Sequence, residues 1–124
     1  MEKLSNNPPL EPGKIYHVYN RANGDEDIFL SKWNYLYFLD KFKLYISPIC
    51  DVYAYCLLPN HFHFLLRIKD ETELLRYFNL REFPVESKLI EQKNSKQFSK
   101  WLSCYTQAFN KQHRRIGKFV YEKL

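Results

Sequence analysis

Cysteine is scarce in this chain, and the three present (Cys50, Cys56 and Cys104) form no Cys-x-x-Cys pair. An odd, unpaired set argues against a disulfide framework and a zinc knuckle, and for a reducing interior. No apolar run reaches the 18 residues expected of a membrane span, and no leader-like segment opens the chain. A soluble, cytoplasmic protein is therefore expected. There is no internal repeat, and no Lys/Arg-Gly-Phe/Tyr run of the kind that marks ordinary RNA-recognition domains. Aromatic residues, by contrast, are abundant: 18% of 124 residues, within a hydrophobic fraction of 45%. That composition and length describe one domain with a sizeable aromatic core.

Charge is unevenly placed. The formal net charge is +5, and from Lys96 onward seven basic residues face a single acid, Glu122. The remainder carries 12 basic and 13 acidic residues and is close to neutral. A basic C-terminal segment on a neutral body is the footprint expected for a polyphosphate partner, with Lys100, Lys111, Arg114, Arg115 and Lys118 as candidate contacts. The same lysines would also suit an ordinary solvated helix face, and His113-Arg114-Arg115 would complement a helix C-terminus.

Hydrophobic periodicity predicts an α+β order. Residues 1–13 read as an extended lead-in, followed by one domain over 14–124. Ile15 to Tyr19 reads as a strand and Arg21 to Asp27 as a polar turn. Ser31 is a plausible N-cap for a helix to about Tyr45, with Tyr35, Phe38, Leu39, Phe42 and Ile46 on one face and Pro48 beyond its end. Cys50–Leu58 and His61–Lys69 form a hairpin around Pro59-Asn60. Asp70 and Glu73 offer a capping box for a short helix bearing Leu74, Leu75 and Phe78. Residues 84–97 show weak periodicity and much charge, and are expected to form a flexible loop or a poorly ordered helix. Phe98, Trp101, Leu102, Tyr105 and Phe109 make a helical stripe ending at Gly117, and Phe119-Val120-Tyr121 starts another strand. Strand, helix, hairpin, helix, strand is a ferredoxin-like pattern, with helices on one face of the sheet and the other face free.

His61-Phe62-His63 lies in the second strand of that hairpin. Side chains alternate along a strand, so the two histidines share a side about 7 Å apart, while Phe62, Phe64, Leu66 and Ile68 take the other. Paired imidazoles placed this way can hold a divalent cation between them. Two polar residues on the wet face of a half-buried strand would show the same spacing.

Four blocks occur in order: Tyr16-His17-Val18-Tyr19-Asn20-Arg21, Leu58-Pro59-Asn60-His61-Phe62-His63, Ser103 to Lys111, and Arg115-Ile116-Gly117-Lys118-Phe119. In these the chain resembles the single-tyrosine HUH transposases of insertion sequences, above all the REP-associated tyrosine transposases, from about residue 14 to the end. The resemblance implies nicking and rejoining of single-stranded DNA at imperfect hairpins. It implies Mg²⁺ or Mn²⁺ on His61, His63 and a third polar ligand, attack by a tyrosine through a 5′-phosphotyrosine, and in some relatives a homodimer.

The family's tyrosine stands on a late helix with Asn or Gln four residues on, a spacing that puts both groups on one helix face. Here Tyr35, Tyr37, Tyr77 and Tyr105 are followed at that spacing by Leu39, Lys41, Arg81 and Phe109. Tyr16 and Tyr19 have Asn20 and Asn23, but on a strand and in a turn. Tyr105 is the fallback nucleophile, although its place in the apolar stripe suits core packing. The family nucleophile is then expected beyond residue 124. His17 and the acids at 25–27 are further candidate ligands, each more readily read as a satisfied strand histidine and a solvated acidic turn. A non-catalytic single-strand nucleic-acid-binding module on the same scaffold, or another HUH nuclease such as a replication initiator or relaxase, would share these features.

Overall fold

The computed structural model describes residues 9–22, 26–80, 87–112 and the backbone of 121–122. It has the order β1 (Ile15–Ala22), α1 (Lys32–Tyr45), β2 (Cys50–Leu58), β3 (His61–Ile68), α2 (Glu71–Tyr77), α3 (Ser87–Gln112) and β4 (Tyr121–Glu122). The strands form one antiparallel sheet in the order β2-β3-β1-β4. This is an α+β fold with the ferredoxin-like strand order, α2 being an added turn before the second long helix.

The strict alternation of β3 places Phe62, Phe64, Leu66 and Ile68 in the core, none more than 1% exposed. Against them α1 brings Phe38 and Phe42, and α3 brings Trp101, Tyr105 and Phe109. Phe42 stacks on Phe64 at 4.5 Å between ring centres, and Trp101 lies 4.6 Å from Phe38 and 5.4 Å from Phe62. Trp101 is wholly buried, and its indole N–H donates to the Phe38 carbonyl at 3.1 Å, so its one polar atom is satisfied. Both long helices therefore cover one face of the sheet.

Helix α1 begins after Ser31 as the sequence suggests, but its cap comes from the other direction. Asn34 Oδ1 accepts from the backbone N–H groups of Leu30 (2.7 Å) and Ser31 (3.1 Å), and its amide donates to Gln112 at the far end of α3. The expected capping box at Asp70 does not form, because the Asp70 carboxylate accepts from Arg67 at 2.6 Å instead. β1 also runs on through Arg21 and Ala22, which were expected in the following turn.

Of the two expectations for 84–97, a flexible loop or a poorly ordered helix, the described part is helical. From Ser87 onward this stretch is the first half of α3. Its inward positions are Ile90, Asn94, Gln97 and Phe98, which keep helical spacing but include two amides, so the apolar signal is diluted. Their nitrogens find carbonyl partners far off in sequence: Asn94 donates to Leu10 and Gln97 to Tyr45, both at 2.9 Å, while Asn94 Oδ1 is buried with no hydrogen-bond partner among the described residues. The first of these bonds also ties down the lead-in, where the Tyr16 hydroxyl donates to Pro9. Residues 84–86, Gly117 and the predicted strand residues 119–120 lie outside the described residues.

Two consequences are measurable. Trp101→Ala empties the centre of the aromatic cluster and is expected to cost about 3–5 kcal/mol in urea unfolding. Cys50 is buried, and desolvation pushes its thiol up to about 12, whereas Cys56 is exposed. A thiol reagent at pH 8 is expected to modify Cys56 in the folded protein and Cys50 only after unfolding.

Candidate functional site

The sheet face opposite the helices is open, and β3 runs along its middle. On that face β3 presents His61, His63, Leu65 and Arg67, and β1 presents His17, Tyr19 and Arg21 beside them. The antiparallel register sets Tyr19 opposite His63 and Arg21 opposite His61; from β2, Cys56 stands across from His63 and Leu58 across from His61. The turn that starts β3 is held from outside. The Asn60 carbonyl accepts from Ala22 N–H at 2.9 Å, and the Pro59 carbonyl accepts from Ile28 and Phe29 at 2.7 and 3.0 Å.

The two histidines lean together, with ring centres 5.0 Å apart and planes nearly perpendicular. His61 Nδ1 bonds Asn60 Oδ1 at 2.7 Å. An amide oxygen only accepts, so His61 Nδ1 carries the proton and its Nε2 keeps a lone pair. His63 Nδ1 is also engaged, at 3.0 Å from His17 Nε2. Burial first, and then the nearby His61 and His17, lowers the His63 pKa below its ordinary value and favours the neutral imidazole that a metal ligand must be.

Three rings meet here: Tyr19 lies 5.2 Å from His17 and 5.3 Å from His63, with planes within 25° of both. The sequence offered His17 as a candidate ligand, but neither its contact with His63 nor the flanking role of the Tyr19 ring. The signal existed in the i, i+2 alternation of β1, but its use needed the register between strands 46 residues apart.

Other predicted residues lie elsewhere. Tyr105 is 2% exposed on the helix side of the sheet, and its hydroxyl donates to the Ile28 carbonyl. Its ring packs on Phe29, Phe38 and Phe109. Tyr105 is a core residue, and the sheet separates it from the histidines, which corrects its candidacy as nucleophile. Lys100 and Lys111 are exposed on α3, about three turns apart on nearly the same side of the helix. They too belong to the helix layer. Arg114, Arg115, Lys118 and the acid at 25 lie outside the described residues. Among the described residues, no group of three or more His, Cys, Asp and Glu side chains is arranged to hold a metal ion, and no helix is long and apolar enough to cross a membrane.

Comparison with protein-family models, with curated proteins and with solved structures gives no match.

Tyr105→Phe provides a check on this assignment. Removing the hydroxyl from a buried carbonyl is expected to cost about 1–3 kcal/mol of stability in urea unfolding.

Proposed function

We propose that this chain is a metal- and single-stranded-DNA-binding domain of the single-tyrosine HUH transposase type, acting on strands flanked by imperfect hairpins. The observation that carries the reading is the adjacent pair His61 and His63 on the open face of the central strand, each with Nδ1 engaged by a neighbouring side chain. That donor set fits a divalent cation: Asn60 leaves His61 Nε2 free, and His63 is held towards neutrality. Imidazole nitrogens completed by oxygen ligands suit Mg²⁺ or Mn²⁺ better than a closed tetrahedral zinc site. When bound, the cation supplies Lewis acidity at a scissile phosphate.

The chain's own groups divide the remaining work. The open face offers Tyr19 and the His17 ring as surfaces on which unpaired bases can stack, and Arg21 as a cation beside His61. Lys100 and Lys111 supply phosphate attraction from the helix layer. The described helices place no tyrosine with Asn or Gln four residues on, so the proposal assigns cation and strand binding to these residues and leaves the nucleophile outside them.

Manganese titration followed by electron paramagnetic resonance tests the reading. The intact chain is expected to bind Mn²⁺, and His61→Ala and His63→Ala each to weaken binding by at least about tenfold, as loss of an imidazole ligand should. Unchanged Mn²⁺ affinity in His63→Ala would favour the alternative of a metal-free single-strand-binding module on the same scaffold. Single-strand affinity is also expected to fall as salt rises, with a shallower slope for Lys100→Ala and Lys111→Ala together.

A further inference from the structure

The His17–His63 contact has an informative shape. The N···N distance is 3.0 Å, the ring centres are 5.2 Å apart and the planes differ by 18°. That centroid separation is the N···N distance plus about one ring radius from each side. The two nitrogens therefore lie close to the line joining the ring centres, and the rings meet edge to edge in almost one plane. This is the geometry of an N–H···N hydrogen bond between imidazoles, not of a face-to-face stack.

Such a bond holds one proton, and its position decides what His63 can do. If His17 Nε2–H donates, neutral His63 carries its own proton on Nε2 and has no lone pair there. If His63 Nδ1–H donates, His17 Nε2 accepts and His63 Nε2 is left as a base. His61 is already fixed in the second form by Asn60. The matching form of His63 gives two neighbouring imidazoles with free Nε2 atoms. His17 then places its remaining N–H on Nδ1, which its exposed position on β1 allows water to satisfy.

We propose that His17 is a positioning residue whose Nε2 accepts the His63 Nδ1 proton and holds His63 in the tautomer that leaves Nε2 free for a divalent cation shared with His61. The proposal rests on the metal reading above and adds a partner in the outer shell of the site, the kind of contact that sets ligand orientation and basicity. Register makes it possible. His17 is the diagonal neighbour of His63 across the β1–β3 pair, within reach of long or aromatic side chains, and the Tyr19 ring flanks both.

Two measurements test it. Long-range ¹H–¹⁵N correlation spectra of the metal-free chain, at a pH where the imidazoles are neutral, are expected to show His63 protonated on Nδ1. In His17→Ala the signal is expected to move towards the Nε2-protonated form. Finding His63 protonated on Nε2 in the unsubstituted chain overturns the proposal. In Mn²⁺ titration, His17→Ala is expected to bind about 10–100-fold more weakly, with His17→Gln, whose amide oxygen can accept, recovering part of the loss. Equal affinity in His17→Ala and the unsubstituted chain, or no recovery by Gln, overturns the positioning role while leaving the metal site intact. Failure of the unsubstituted chain to bind Mn²⁺ overturns the metal reading itself, and the spectra, recorded without metal, keep the two failures apart.

Discussion

A slip of β3 by one residue would turn Phe62, Phe64, Leu66 and Ile68 towards water and drive both histidines into the aromatic core. Everything else about the site depends on that frame being held. Four large apolar side chains hold it from the helix side, and the hairpin turn holds it from the end. The Pro59 and Asn60 carbonyls receive three backbone N–H groups from β1 and from the segment leading into α1. Burying four such residues favours the observed register by several kcal/mol over its neighbour, at about 1.5–3 kcal/mol per side chain. The open face inherits its order from this packing. Its own contacts are ring edges, single hydrogen bonds and exposed ion pairs such as Arg67 with Asp51, which contribute little by themselves.

That division explains what the sequence shows and what it conceals. Cys50–Leu58 was legible as an apolar, β-rich run closed by Pro59-Asn60, and the helix from Lys32 to Tyr45 by its stripe of Tyr35, Phe38, Leu39 and Phe42 ahead of Pro48. The first half of α3 was hidden because Asn94 and Gln97 occupy inward positions as hydrogen-bonding residues, so a hydropathy period alone reads them as surface. His61 and His63 were legible as a pair, since their relation is local and set by strand alternation. Their contacts with other elements were less so, although His17 stood among the candidate ligands. His17 meets His63 only through the β1–β3 register, and Arg67 diverts Asp70 from its helix cap through a side-chain choice that no local pattern records. Tyr105 lay between the two cases: its stripe announced a core position, and the bond to Ile28 shows how the hydroxyl is accommodated there.

Of the candidate phosphate contacts, the described Lys100 and Lys111 occupy the layer opposite the histidines. Lys100 and Lys111 stand on α3, whose inward side packs through Trp101 on the very residues of β3 that alternate with the histidines. On the open face Arg67 is paired with Asp51 and Asp70, leaving Arg21 as the cation set directly opposite a site histidine. A strand lying on that face would be held mainly by contacts with rings and Arg21, and less by dense phosphate neutralisation. The lysines of α3 would act on nucleic acid that extends past the sheet edge, as a hairpin arm beside a single-stranded segment would. Under the proposed function, the two layers would suit two parts of one substrate, the unpaired strand on the sheet and duplex phosphates towards the helices.

Asn60 joins fold and chemistry in one residue. Its carbonyl closes the turn onto Ala22, and its side chain assigns the proton of His61. His17 stands in the corresponding relation to His63, but from a strand that the turn helps to align through that same Ala22 bond. The two Nδ1 partners therefore share a mechanical origin: a change that loosens the turn would disturb β1 and both imidazole tautomers together. An amide oxygen beside His61 fixes its proton outright, whereas an imidazole beside His63 permits either direction of donation. Of the two Nδ1 partners, His17 alone can act as donor or acceptor, and under the proposed function a bound cation would reinforce the hydrogen bond in which it accepts.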